Sequence, residues 1–322
     1  MAKVVTHESQ DVDDQAQALT GWEQNYEQLG CGRFRGSAWQ LVMRDGVFLR
    51  ETTNRQLRER IMPPRNHVVL AVPLAVEPGS VFAGRPLQRE TLMVLGSQTD
   101  YDVVSAGELD LIGLTVDRAM VADKLAPAKL EWLERKVSEC NVELPAETAA
   151  AIRHMLLAVC SDVGRQFDGL DDPAQEAALL ASTLTHAVML AMAAERDGGA
   201  STIPRRAESR LKVVKRAVEF MRANLQADIG VPEICGAAFA SRRTLQYCFE
   251  EFMHTTPQAF LRALRLNEAR RQLKQHGAHQ AITDLAGAMG FSSASHFTRH
   301  YKLMFDELPS ETLKLHCYGP GM

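Results

Sequence analysis

Two segments near the C-terminus repeat one layout of side chains, and that layout suits reading DNA. The first is Ile234-Cys-Gly-Ala-Ala-Phe-Ala-Ser-Arg-Arg-Thr-Leu-Gln-Tyr-Cys-Phe249, the second Leu285-Ala-Gly-Ala-Met-Gly-Phe-Ser-Ser-Ala-Ser-His-Phe-Thr-Arg-His-Tyr301. In each, a short apolar run ends in small residues, a Ser follows, and an amphipathic stretch begins. Ser241 and Ser293 stand where helix N-caps belong, because a Ser hydroxyl accepts a bond from an unpaired first-turn N–H. Leu245 with Phe249, and Phe297 with Tyr301, lie four apart and face a core. Ala237 and Ala288 are small enough to let paired helices cross closely. The other faces carry Arg242, Arg243, Gln246 and Tyr247 in the first segment, and Ala294, Ser295, Thr298 and Arg299 in the second. Arg reads guanine O6 and N7 with two bonds, Gln reads adenine N6 and N7, and Ala or Ser lets a helix approach the base edges. These eight are the candidate base contacts. Arg262, Arg265, Arg270, Arg271 and Lys302 are candidate phosphate contacts, which fix register without reading sequence. A merely solvated polar face is the alternative for either segment alone; two such segments in one basic region weigh against it.

The elements that must position these side chains are helices. From residue 205 onward nothing alternates like a strand; Glu208–Asn224 and Pro257–His276 are the longer helices, the others are short, and His276 and His279 fall in a loop. From Arg205 to Met322 there are 17 Lys and Arg against 11 Asp and Glu, a net of +6, while the rest of the chain carries −10. A basic module joined to an acidic one suits a polyanion binder coupled to a different activity. Between them Arg196-Asp-Gly-Gly-Ala-Ser-Thr-Ile-Pro204 reads as a linker.

Ahead of that linker, short apolar runs at Ala38–Met43, Val47–Arg50, His67–Pro73, Thr91–Leu95, Tyr101–Val104 and Leu109–Val116 are broken by Gly and Pro, as in a sandwich or barrel. From Asp117 to Glu195 the pattern turns helical, with Ala149–Cys160 and Pro173–Ala194 its clearest stretches and Pro173 a good first helical residue. The fold class expected is therefore α+β: a β-rich module with helices over 1–195, a linker over 196–206, and an all-α domain over 207–318 carrying two helix-turn-helix motifs. No apolar run of about 18 residues stands out as a membrane span, and the polar, acidic start at Met1–Gln17 is no secretory signal. The six cysteines are scattered without a CxxC pair, which fits a reducing cytoplasm and no disulfide or zinc framework.

These motifs resemble the AraC/XylS family of bacterial regulators. Ser241-Arg-Arg-Thr-Leu245 with Phe249 matches the family's first recognition helix. Pro257, Phe260-Leu-Arg-Ala-Leu-Arg-Leu266 and Ala269 match its connecting segment. Leu285–Phe297, Tyr301-Lys302, Phe305 and Pro309-Ser310 match its second motif. The resemblance spans about residues 210 to 315. It implies a bipartite domain whose two recognition helices enter successive major grooves of double-stranded DNA, with RNA polymerase as a further partner. Two positions depart from the pattern: Phe239 stands where many members have Gly, and Tyr247 where a basic residue is common.

The family couples this domain to a variable effector or dimerisation module, often a cupin-like β-barrel. Gly21–Leu29 with Trp22 and Tyr26 on a terminal helix, Gly32–Gly36, Leu49-Arg-Glu51 and Val68–Pro73 resemble the ethanolamine-utilisation regulator subgroup, from which only the architecture is carried over. The expectation is a homodimeric, small-molecule-responsive activator of a catabolic operon, with no cofactor. Trp22 and Tyr26 read as core packing rather than a ligand cage. A ligand-free oligomerisation module is the alternative. A metal-dependent cupin enzyme would need an HxH pair, and the β region holds only His67; no catalytic residue is assigned.

Overall fold

Branched and aliphatic residues at every second position make the first part of the chain a β-structure, because alternate side chains of a strand share a face. The computed structural model describes residues 2–97, 99–163, 172–197, 205–276 and 281–317. Elements are numbered in chain order. The larger sheet runs β1 (Lys3–Ser9), β3 (Gly36–Met43), β4 (Gly46–Thr53), β11 (Leu109–Asp117), β6 (His67–Val76), β9 (Thr91–Gly96), β12 (Asn141–Glu143), each antiparallel to its neighbour. The smaller sheet runs β2 (Glu23–Gln28), β5 (Leu57–Met62), β10 (Tyr101–Val104), β7 (Val81–Phe82), β8 (Arg85–Pro86).

Register decides which residues meet. Ile112 lies opposite Val72, and Leu114 opposite Leu70 and Phe48, so one face of the large sheet is aliphatic. It is buried with residues of α2 (Arg118–Lys124), α3 (Pro127–Glu139), α4 (Ala146–Val163) and α5 (Pro173–Asp197). The other face carries Ala38, Glu51 and Leu111 in one row. A short helix, α1 (Val12–Gln15), is capped by the Asp11 carboxylate.

Several expectations need correction. Glu23–Gln28 is a strand, so Trp22 and Tyr26 share no helix; Tyr26 is fully buried, and Trp22 packs beside Leu19, Ala38 and Leu49. The polar start holds β1, and β12 interrupts the helical stretch after Asp117. Over Pro173–Glu195, α5 is long and apolar enough to cross a membrane by length and composition, although Leu180, Leu184, Ala187, Val188 and Ala191 are buried in the core just described. His276 ends a helix instead of lying in a loop; His279 and most of the expected linker, 198–204, lie outside the described residues.

Contacts divide the chain into two units. The first is Met1–Tyr26, Arg35–Asn54 and Glu59–Thr202; the second is Glu27–Phe34, Arg55–Arg58 and Ile203–Met322. The second therefore includes two short segments from early in the sequence, which the expected boundaries of 195 and 207 did not foresee. Its helices are α6 (Arg205–Ala223), α7 (Val231–Ala238), α8 (Arg242–Met253), α9 (Pro257–His276), α10 (Ile282–Ala288), α11 (Ala294–Phe305) and α12 (Pro309–Cys317). Leu29 packs on a core of Leu266, Leu273, Leu285, Phe297 and Tyr301. Beside it Asn267 of α9 donates to Gln28 O at 2.9 Å and accepts from Gln28 N at 3.1 Å. Gln28 Nε2 in turn donates to Met304 O at 2.7 Å.

Candidate nucleic-acid interface

The two repeated segments become two helix pairs, α7 with α8 and α10 with α11. Both first helices end alike. Ala240 N donates to Cys235 O at 3.1 Å, and Phe291 N to Ala286 O at 3.0 Å, the long-range bond of a Schellman ending. Such an ending puts one residue in the left-handed region. In the second pair it is Gly290 at φ +70, where a Cβ would stand 2.7 Å from the Arg265 guanidinium. In the first it is Phe239 at φ +52, with 83% of its surface exposed. A non-Gly residue there is strained. The Arg216 guanidinium lies 5.4 Å from the Phe239 ring and holds that exposed side chain.

Each second helix then starts from a Ser in extended conformation. Ser241 Oγ accepts from Thr244 N at 3.1 Å, and Ser293 Oγ from His296 N at 3.2 Å. One face of each helix is buried: Leu245, Cys248 and Phe249 in α8, and Phe297, Tyr301 and Phe305 in α11. Rings make much of the second core, with Phe291 edge-on to Phe297 at 5.2 Å and Tyr301 edge-on to Phe305 at 4.7 Å. The small buried residues of the first helices are Ala238 and Ala286, one residue after Ala237 and two before Ala288; Ala288 is exposed and Ala237 half-buried.

The outward faces hold the expected readers. Arg242, Arg243, Tyr247, Ser295, Arg299 and Lys302 are exposed, and Gln246, Ala294 and Thr298 half-buried. Gln246 Nε2 donates to Glu250 at 2.7 Å, so base contact requires it to leave that partner. Tyr247 sits 5.5 Å under the Arg210 guanidinium, which is itself paired with Glu251 at 2.8 Å.

The candidate phosphate contacts separate into two groups. Arg265 donates to Leu225 O at 2.9 Å and Ala227 O at 2.7 Å, pinning the turn before α7. Arg270 is paired with Glu307 at 3.1 Å over the Phe305 ring, and Arg271 with Glu268 at 3.8 Å. These three cations are engaged inside the fold. Arg262 and Lys302, with Arg242, Arg243 and Arg299, make no ion pair among the described residues. Arg262, Gln258, Ser292 and His296 line a cleft of about 240 Å³. Partial burial, then Arg262, His296 and Arg299, hold the His300 pKa below its ordinary value, a mark of concentrated positive charge. No sequence signal had singled out His296 or His300. Among the described residues no group of three or more His, Cys, Asp or Glu gathers to hold a metal.

Comparison with known proteins points the same way. Residues 234–315 match the family model described as a helix-turn-helix domain. The XylDLEGF operon transcriptional activator of Pseudomonas putida is 34% identical over 101 residues, 31% of this chain and 32% of that protein. The probable thc operon regulatory protein of Rhodococcus erythropolis is 31% identical over 103 residues, 32% of this chain and 31% of that protein. A crystal structure of a transcriptional regulator described by its AraC-type DNA-binding domain, from Chromobacterium violaceum, is 33% identical over 36% of this chain and 99% of that one, with a TM-score of 0.32. Residues 234–315 of this chain are a helix-turn-helix domain, similar in sequence to part of these regulators. The match spans about a third of the length of these curated relatives.

Proposed function

We propose that the chain is a sequence-specific DNA-binding transcription regulator in which α8 and α11 are the recognition helices of two helix-turn-helix motifs, one for each of two successive major grooves. The observation that carries this reading is the matched pair: two Ser-capped helices, each buried on one face, with Arg242, Arg243, Arg299 and Lys302 left unpaired on the other. Direct readers are Arg242, Arg243, Gln246 and Tyr247 in α8 and Ala294, Ser295, Thr298 and Arg299 in α11. Phosphate contact falls to Arg262 and Lys302, since Arg265, Arg270 and Arg271 already have partners. Related domains in operon activators favour an activator that meets RNA polymerase.

In this reading unit 1 is a cupin-like sensor that also joins two copies of the chain. The two sheets, with Gln15, Glu51 and Glu59 buried among apolar residues of unit 1, support the sensor. The exposed stripe Ala178, Ser182, Met189 and Ala193 on α5 is the surface for the second copy. The likeness to ethanolamine-utilisation regulators rested chiefly on a terminal helix that is strand β2 instead, so it names no effector. The test is selection and sequencing of bound DNA for wild type, Arg299→Ala and Arg262→Ala. Arg299→Ala is expected to relax preference at one base pair and weaken the best site by about 1–3 kcal/mol. Arg262→Ala is expected to weaken all sites about equally. Identical preference profiles for the two variants would refute direct readout by Arg299.

A further inference from the structure

The turn between α7 and α8 carries a side chain that its own backbone disfavours. Phe239 stands at φ +52, the left-handed region that L side chains rarely adopt, and 83% of its surface is exposed. No burial of the ring offsets that conformation. The backbone is nevertheless fixed: Phe239 N donates to Gly236 O at 3.2 Å, and the next amide, Ala240 N, to Cys235 O at 3.1 Å. What the ring touches is a cation. The Arg216 guanidinium of α6 lies over it, 5.4 Å from the ring centroid. Arg216 is exposed and makes no hydrogen bond or ion pair among the described residues. A second ring-seated arginine in the unit differs in this respect: Arg210, over the Tyr247 ring, is also bound to Glu251 at 2.8 Å. Strain held at a surface residue that the fold does not require points to function.

The pair lies beside the DNA-facing end of α8. Ser241 caps that helix, and Arg242 is its first residue. Phe239 comes three positions before Arg242, so their Cα atoms are at most about 11 Å apart. The major groove is about 12 Å wide and is walled by phosphates. A helix that puts Arg242 at the base edges therefore brings the residues just before its cap to the sugar-phosphate backbone. We infer that Arg216, seated on the Phe239 ring, contacts a phosphate flanking the groove that α8 reads. The inference rests on the reading of α8 as a recognition helix and extends its contacts to α6, outside both helix pairs. Arg216 supplies the charge, and Phe239 is a positioning residue that acts through it.

What the ring contributes is order. A long Arg side chain on a solvent-facing helix loses rotamer freedom when it grips a phosphate. A guanidinium stacked on an aromatic face has lost much of that freedom beforehand. Its N–H edge stays open to an oxyanion, because stacking uses only the plane. Its planar fork can then meet two phosphate oxygens at once. Glycine at position 239 would relieve the backbone and leave Arg216 loose, so strain in the free protein is exchanged for order in the complex. Lys215, the neighbour of Arg216 on α6, is likewise exposed and without an ion pair, and it has no ring to lie on. It isolates the effect of charge alone.

The test uses the full chain and duplexes that wild type selects from a random pool. Affinity is read by fluorescence anisotropy across a salt series, base preference by sequencing, and folding by thermal melting. Arg216→Ala is expected to weaken all duplexes about tenfold, and to lower the slope of log affinity against log salt by about one, with base preference unchanged. Phe239→Gly is expected to weaken binding about threefold with the slope retained, because the charge remains and only its order is lost. Its melting temperature is expected not to fall. Phe239→Tyr, which keeps the ring, is expected to bind as wild type does. Lys215→Ala is expected to change affinity by less than about twofold. Unchanged binding by Arg216→Ala or by Phe239→Gly, a shifted base preference in Arg216→Ala, or an equal loss in Lys215→Ala would overturn the contact. Arg216→Ala that binds duplex normally but no longer activates transcription would assign the pair to a protein partner and overturn the contact as well. Wild type that binds duplex with both variants unchanged ends the contact and leaves the regulator; wild type that binds no duplex ends both.

Discussion

Phe239 shows how far a single residue can depart from its repeat. Its counterpart Gly290 occupies the same left-handed position, and there a side chain has no room. At Phe239 the side chain points into solvent, so the strain is tolerated for an exposed ring under Arg216. Phe239→Gly is expected to stabilise unit 2 by about 1 kcal/mol, because relief of the positive φ outweighs glycine's extra unfolded-state entropy; a lower denaturation midpoint would show that the cation–ring contact dominates. The sequence flagged this position through the family's usual Gly. It could not flag Glu51 and Glu59, because a charged residue in an alternating strand reads as facing water until register places it inside. For Glu51 the folded pKa of about 7 lies above the unfolded value near 4.5. The neutral group therefore supports folding fully below pH 4.5, and this support is lost as pH rises through 7. In the ligand-free protein, wild type is expected to lose about 3 kcal/mol relative to Glu51→Gln between pH 4.5 and 8. Parallel stability–pH curves for the two proteins would contradict the burial of an unpaired carboxyl.

Among elements, those with strong periodicity were legible. The run Tyr101–Val104 and the helix Pro257–His276 have the boundaries expected from their apolar spacing. Strands β1 and β2 were not legible, because only Ser9 of Lys3–Ser9 is buried and Glu23–Gln28 is mostly polar, so neither shows a buried apolar stripe. The four-residue spacing of Trp22 and Tyr26 then imitated a helix. Helices α8 and α11 were legible because cap, core face and outward face occur together. Phe297 has no exposed surface and touches Phe291 and Tyr301. Phe297→Ala is expected to cost about 3–5 kcal/mol and melt the second helix pair first. Ser293→Ala removes only a capping bond and is expected to cost about 1 kcal/mol. Hydrogen exchange on α11 ranks the two: equal protection losses would mean that Phe297 is not the anchor of the pair.

Across the whole molecule, charge is divided as the sequence divides it, +6 after residue 204 and −10 before. Binding of DNA by the full chain is expected to weaken steeply as salt rises, since each neutralised phosphate releases counterions. Removing Arg262 is expected to lower the slope of log affinity against log salt by about one; a slope that stays put would take Arg262 off the backbone. The +6 was legible from composition, but the early segments of unit 2 were not, because polar contacts between distant residues leave no local pattern. Their bonds span 239 residues from Gln28 to Asn267 and 276 from Gln28 to Met304. A ribosome adds about 5–20 residues each second, so Gln28 leaves it roughly 10–50 s before Asn267 exists. Gln28 and Leu29, at the end of β2, therefore wait for their partners until almost the last helix has been translated. Unit 2 is completed by its earliest residues and its latest ones together, and a translation product cut short before Met304 lacks the bond by which Gln28 holds α11.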